Sequence, residues 1–239
     1  MNIAVIFAGG VGTRMQTVSR PKQFLLVHGK PIIVHTIELF QQHPDIDSII
    51  VSCIEDWIPY MEEMKHRYRL DKIKKIVPGS TTGQLSIYNG LKAAEEVHGT
   101  KDNVVLIHDG VRPLITPETI SDNIESVKKY NSAVTCTVAK ETVILVDDNN
   151  EVAEVPDRQS SRLAKAPQSF WLEEILAAHR KALSEGEDNF IDSCTMMRHY
   201  GYSLRVVIGP NENIKITTPD DFYTFRALYD VRENNQLEQ

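Results

Sequence analysis

Short apolar runs rich in Val and Ile alternate with longer stretches of helical periodicity as far as residue 138, and this alternation leaves few folds open. Residues 3–7, 48–53, 73–77, 104–107 and 133–138 are short runs rich in Val and Ile, of the kind that fill strands covered on both faces. Between them, 32–40, 60–68, 86–97 and 117–130 repeat their apolar positions at helical spacing. Strand, helix and strand in repeated succession predict an α/β fold. It is a three-layer αβα arrangement with a mostly parallel, twisted sheet and right-handed crossovers. Ligands of such sheets sit at the carboxyl ends of the strands.

Residues 142–168 break the rhythm. Two extended runs, 142–146 and 151–155, flank the turn formers Asp147-Asp148-Asn149-Asn150, which predicts a hairpin or arm leaving the main body. Beyond it, 171–185 and 193–200 read as helices, 203–208 as a strand, and Pro219 as the start of a final helix. At 239 residues the chain is expected to form a single domain, 1–239, with that one excursion. A net charge of −7 argues against a general nucleic-acid-binding surface but leaves room for a local basic pocket. Cys53, Cys136 and Cys194 are far apart with no CxxC pair, so reduced thiols are expected rather than metal ligands. The first apolar run is too short for a signal peptide or a membrane span, so a cytoplasmic protein is expected.

The first strand runs directly into Ala8-Gly9-Gly10-Val11-Gly12-Thr13-Arg14-Met15, followed by Arg20-Pro21-Lys22-Gln23-Phe24. Clustered glycines let the backbone approach a bulky anion with its N–H groups, and Arg14 and Lys22 add cations. The alternative is a tight strand-to-helix turn with solvated cations. The spacing fits neither a P-loop nor a dinucleotide fingerprint, since Met15 stands where the third glycine of the latter belongs. Asp109 follows a buried strand and precedes Gly110, which suits Mg²⁺ or a ribose hydroxyl, or else a capping turn. His108 reads as structural. Ser86 stands at the head of a helix behind Pro78-Gly79-Ser80-Thr81-Thr82-Gly83, the usual place of a cap. Lys215, between Ile214 and Ile216, turns away from its apolar neighbours if the segment is extended, as an edge-strand gatekeeper does.

Gly-Gly-x-Gly-Thr-Arg-Met followed by Pro-Lys-Gln-Phe-Leu resembles the signature of nucleotidyltransferases that activate sugar or polyol phosphates. Three further motifs extend the likeness along nearly the whole chain. They are His108-Asp109-Gly110-Val111-Arg112-Pro113, Ala166-Pro167-Gln168-Ser169-Phe170 and Asn213-Ile214-Lys215-Ile216-Thr217. Together they resemble the bacterial cytidylyltransferase family of the methylerythritol-phosphate and ribitol-phosphate enzymes, with the Rossmann-like fold of nucleotide-diphospho-sugar transferases.

The resemblance implies a reaction of CTP with a polyol phosphate at one sheet edge, with Mg²⁺ or another divalent cation as cofactor. It implies a nucleotide held by Ala8, Gly9, Gly10, Gly12, Thr13, Ser80, Thr81, Ser86, Asp109 and Gly110. Arg14, Lys22 and Lys215 would be the catalytic cations, and Asp109 the residue associated with the metal. Thr142 and Arg158 match residues that bind the acceptor phosphate partly across a homodimer, which makes 142–165 a dimerisation arm. Arg112 either clamps the acceptor or anchors its loop through carbonyls. Two positions depart from the family: Gly83 stands where arginine is common, and Ala166 where threonine is. Lys22-Gln23-Phe24 and Asp109-Gly110-Val111-Arg112-Pro113 look closer to the ribitol branch. The expected products are therefore CDP-ribitol and pyrophosphate from CTP and D-ribitol 5-phosphate, with methylerythritol phosphate as the alternative acceptor.

Overall fold

The computed structural model describes residues 1–10 and 20–235. In chain order these form β1 (Asn2–Ala8), a 3-10 turn (Lys22–Phe24), a small hairpin of β2 (Leu26–Val27) and β3 (Lys30–Pro31), and α1 (Ile32–Gln42). Then come β4 (Ser48–Cys53), α2 (Ile58–Arg67), β5 (Ile73–Pro78), α3 (Gly83–His98), β6 (Val104–Asp109), α4 (Pro117–Tyr130) and β7 (Ser132–Val138). A second hairpin, β8 (Leu145–Val146) with β9 (Val152–Glu154), precedes β10 (Arg162–Trp171), α5 (Leu172–Ser184), α6 (Ser193–His199), β11 (Val206–Ile208) and α7 (Pro219–Asn235).

Seven strands make one sheet in the order β11-β7-β10-β6-β1-β4-β5, every pairing parallel except those of β10 with β6 and β7. From β1 the chain steps outward to β4 and β5, then crosses back to place β6 on the other side of β1. The ends of β1 and β6 therefore flank the point where strand order reverses, and Phe7 and Asp109 are register partners there. Along β1, Ala4, Ile6 and Ala8 join one buried cluster with Ile33, Ile37 and Ile120, while Ile3 and Val5 join another with Leu91 and Leu176. Helices α1, α2 and α4 thus cover one face, and α3, α5 and α6 the other, which is the expected three-layer arrangement. A third cluster, Val27, Ile32, Val111, Leu114, Ile216 and Phe225, packs α7 and the small hairpin beneath one end of the sheet. Cys53 and Cys136 are buried free thiols, and burial pushes Cys53 up to about 12.

Four sequence expectations change. Residues 162–171, which the sequence divides between the irregular segment 142–168 and the helix from 171, form one strand, the longest of the sheet among the described residues, whose pairing with β7 lapses between Ala164 and Gln168. Pro167 falls within that lapse, where a missing N–H costs no ladder bond, and follows a cis Ala166–Pro167 peptide. The arm hairpin exists but contracts to Leu145–Val146 and Val152–Glu154, since Asp147 Oδ1 accepts the N–H of Asn149 and of Glu151 at 2.9 Å and tightens the turn. The strand expected at 203–208 narrows to Val206–Ile208. Helix α3 begins at Gly83, earlier than expected, because Thr82 is its cap and accepts the Leu85 N–H at 3.1 Å, so Ser86 lies inside the first turn.

Candidate active site

Where β1 ends, its ladder partners run out and a side chain replaces them. Gln23 is buried, and its Nε2 donates to Ala8 O at 2.7 Å and Gly10 O at 3.3 Å, pinning the described start of the glycine loop. Gly9 meets the β5–α3 loop so closely that a Cβ there would lie 2.6 Å from Ser86 Oγ, and one on Gly79 would lie 2.6 Å from Gly9 Cα. Only glycine permits this approach of two backbones. Ser86 Oγ in turn accepts the Ser80 N–H and donates to Thr82 O, each at 2.9 Å, which folds the loop against the helix. Among the described residues nothing lies within 4 Å of the missing Cβ of Gly10.

The result is a cavity of about 570 Å³ at the carboxyl ends of β1 and β6. Ala8, Gly9, Gly10, Lys22, Ser80, Thr81, Ser86, Asp109 and Lys215, all singled out from sequence, line it. Gly110 stands behind the wall, its N–H bonded to Phe7 O at 2.9 Å and its missing Cβ 2.9 Å from that of Ala8. Gly12, Thr13 and Arg14 lie outside the described residues. Thr142 and Arg158 are exposed on the arm and line no cavity at this edge, so one chain alone does not bring them to it.

At the cavity's rim the charges are interlocked. Asp109, buried at the end of β6, takes Arg112 Nε on Oδ2 at 3.1 Å and Lys215 Nζ on Oδ1 at 2.6 Å. Burial opposes its ionisation, but Arg112 and Lys215 outweigh burial and hold the carboxyl well below the usual carboxylate range. Arg112 Nη1 also donates to Asn213 O at 2.8 Å, so of its two sequence readings the anchoring one is visible in the geometry. Lys22 Nζ donates to Ile216 O at 3.0 Å. His108 is fully buried, its Nε2 3.0 Å from Arg112 O, and burial pushes it down to about 4, which leaves a neutral ring holding the loop.

Residues 211–217 form an irregular strap, not a strand, and this removes the edge-gatekeeper alternative for Lys215. Alternation still operates: Ile216 is buried in the α7 cluster and its N–H bonds Val111 O at 2.9 Å, while Lys215 faces the cavity. Asn213, quoted in a motif but given no role from sequence, is the strap's hub. Its carbonyl receives Arg112, and its buried Nδ2 donates to Ala166 O at 2.8 Å. No compositional signal marks it, because its partners are distant in the chain.

A second cavity of about 270 Å³ shares Phe7, Gly83, Asp109 and Lys215 with the first and runs on past Arg112 to Lys165, Ala166 and Gln168. Gly83, with nothing within 4 Å of its missing Cβ, puts no side chain between the two. Lys165 and Gln168 went unassigned in the sequence because β10 was not recognised there. Among the described residues no group of three or more His, Cys, Asp or Glu is disposed to hold a metal, and Asp109 is the single carboxylate lining the first cavity. No helix among the described residues is long and apolar enough to cross a membrane.

Two connected cavities meeting at a buried ion-pair cluster, at the strand-order reversal of an α/β sheet, define a site for a nucleotide and a second substrate. The chain matches the IspD family, 2-C-methyl-D-erythritol 4-phosphate cytidylyltransferase, over residues 2–230 and belongs to it. It is 59% identical over 237 residues to a ribitol-5-phosphate cytidylyltransferase of Streptococcus agalactiae serotype V, covering 99% of this chain and 98% of the relative. A 2-C-methyl-D-erythritol 4-phosphate cytidylyltransferase of Clostridium acetobutylicum is 38% identical over 233 residues, covering 95% and 97%. The crystal structure of 4-diphosphocytidyl-2C-methyl-D-erythritol synthase from Anaerococcus prevotii superposes with a TM-score of 0.82 at 29% identity, covering 96% of each chain.

Proposed function

We propose that this chain is a cytoplasmic cytidylyltransferase that joins CTP to D-ribitol 5-phosphate, forming CDP-ribitol and releasing pyrophosphate. The observation that carries the reading is the junction of the two cavities at Asp109 and Lys215. A triphosphate lying along the glycine loop brings its α-phosphorus to that junction, where an acceptor phosphate in the second cavity meets it. The much higher identity to the ribitol-phosphate relative than to the methylerythritol-phosphate relative favours ribitol 5-phosphate.

The acceptor's phosphate monoester has a second pKa near 6 and is largely a dianion at neutral pH, so no general base is needed. The barrier is the approach of one anion to another and the extra charge on five-coordinate phosphorus. Lys22 and Lys215, with Arg14 from the glycine loop, are the cations that answer it. Lys215 is positioned for the task by Asp109, and Lys22 by the carbonyl of Ile216. Mg²⁺ fits the donor set: an ionised Asp109 carboxylate together with triphosphate oxygens is what this small, hard cation takes. Bound there, it would neutralise phosphate charge and favour departure of pyrophosphate.

The chain acts as a homodimer in this reading. Ile144, Leu145, Val146, Val152 and Val155 are each roughly half exposed on the arm, an apolar face that a second copy would cover. Thr142 and Arg158 would then reach the partner's acceptor cavity. Pyrophosphate release with CTP, compared between D-ribitol 5-phosphate and 2-C-methyl-D-erythritol 4-phosphate, tests the assignment. Ribitol 5-phosphate is expected to lead in kcat/KM by at least about tenfold. Equal or better turnover of methylerythritol phosphate overturns it.

A further inference from the structure

The second cavity contains a cation that none of the motifs points to. Lys165 lies on β10 where pairing with β7 lapses, and it is partly buried. Its Nζ donates to Asn211 O at 2.8 Å and Asn213 O at 3.2 Å, both neutral acceptors. Among the described residues no carboxylate lies within 4.0 Å of it, whereas Arg112 and Lys215 share Asp109. A partly desolvated ammonium without a counter-charge costs stability. Desolvation, the Arg112 guanidinium and Lys140 all pull the Lys165 pKa down, and Glu212 opposes them only in part.

The charges near Lys165 are arranged in a row. Lys165 and Arg112 meet on the carbonyl oxygen of Asn213, and Arg112 and Lys215 meet on Asp109. Three cations thus gather around the single carboxylate of Asp109 in this row. Asp192 also lines this cavity and keeps its negative charge, but its oxygens bond neutral donors and none of the three cations. Its Oδ2 accepts Gln168 Nε2 at 2.9 Å, and its Oδ1 caps α6 by accepting the Thr195 N–H and hydroxyl. A phosphate monoester dianion is an anion that such a row of cations attracts and can bridge.

We propose that Lys165 binds the phosphate monoester of the acceptor alongside Arg112 and Lys215, and so restricts the second cavity to phosphorylated polyols. This rests on the acceptor reading of that cavity. Before substrate arrives, the two strap carbonyls park the ammonium. The incoming dianion replaces a neutral acceptor with a charged one, and charge-assisted hydrogen bonds are about twice as strong as neutral ones.

Steady-state kinetics at saturating CTP, with ribitol 5-phosphate varied, tests it in Lys165→Gln, Lys165→Met and Lys165→Arg. Glutamine keeps donors for Asn211 and Asn213 and removes only the charge. The expected result is an acceptor KM raised at least about tenfold in Lys165→Gln, with the CTP KM unchanged and kcat reduced less than about threefold. Lys165→Arg should recover most of that KM. Inorganic phosphate should compete with the acceptor more weakly against Lys165→Gln than against the parent. An unchanged acceptor KM in Lys165→Gln, or equal losses in acceptor and CTP binding, overturns the proposal. So does unfolding of both Lys165→Gln and Lys165→Met, which would assign the strap contacts a structural role alone. A parent enzyme that turns over no polyol phosphate with CTP refutes the cytidylyltransferase reading instead. Methylerythritol phosphate as the better substrate, with its KM still dependent on Lys165, refutes only the ribitol assignment.

Discussion

A methyl group on Gly79 would press on the Gly9 backbone at 2.6 Å, and neither partner is the flexible end of a side chain. Gly79→Ala is therefore expected to destabilise the fold by about 2 kcal/mol and to weaken CTP binding, because the β5–α3 loop must back away from the glycine loop. Urea denaturation and nucleotide titration measure both; a wild-type midpoint with wild-type affinity would contradict the close approach. Lys22→Ala should leave the fold cooperative and reduce turnover at least about a hundredfold, since a placed charge donor is worth roughly 3 kcal/mol in the transition state. Near-normal turnover would remove Lys22 from the catalytic set. Asn213→Ala strips the Ala166 carbonyl of its buried donor and should cost about 1–3 kcal/mol in stability, with a larger loss in acceptor binding than in CTP binding. Lys22 stood out in the sequence by its neighbours in a motif. Asn213 did not, because a buried amide that ties two distant segments leaves no local pattern.

Helices α1, α2, α4 and α5 were legible because an amphipathic stripe repeats within a single segment, and β1, β4, β6 and β7 because strands buried on both faces are rich in apolar residues throughout. Strand β10 was not. Its first half, with Arg162, Leu163 and Ala164, is mostly exposed, its second half is buried, and the pairing with β7 is interrupted around the cis proline between them. Neither a period of two nor a continuous apolar run survives that change of environment. The arm follows the opposite logic: local turn chemistry announced it, but a two-stranded hairpin with exposed apolar residues has nothing in one chain to cover it. If the proposed homodimer forms through the arm, the double variant Leu145→Asp with Val152→Asp is expected to convert it into monomers while leaving the urea transition of the main body cooperative. Analytical ultracentrifugation of parent and variant checks this, and an unaltered sedimentation coefficient would overturn the arm as the proposed subunit contact.

Across the whole molecule, two buried histidines make stability dependent on pH. His108, in contact with Phe40, and His179, stacked on Tyr88, are both pushed down to about 4 by burial. Their unfolded pKa lies near 6.5, so between about pH 6.5 and 4 the unfolded chain binds more protons than the native one. Stability is therefore complete above pH 6.5 and falls as the solution is acidified. By pH 4.5 the loss is about 2 to 3 kcal/mol per histidine. Asp109, whose carboxyl is held below its usual range, adds a loss of the same sign in more acidic solution. Urea midpoints from pH 7 to 4.5 should fall steadily, and His179→Leu should flatten the slope; a midpoint independent of pH would show that these rings are not buried neutral.

Periodicity and glycine clustering are properties of short stretches, and from them the layered sheet and its ligand edge could be read directly, while Lys22, Asp109 and Lys215 were marked as site residues by the resemblance of their motifs to a known family. Which charges meet is not such a property. Arg112 finds its carbonyl 101 residues away and Lys22 finds its own 194 residues away. Those partnerships, the insertion of β10 between β6 and β7 and the strap that seats four cations arise only when distant segments pack. Electrostatic pairing depends on separation in space, and separation along the chain carries no record of it.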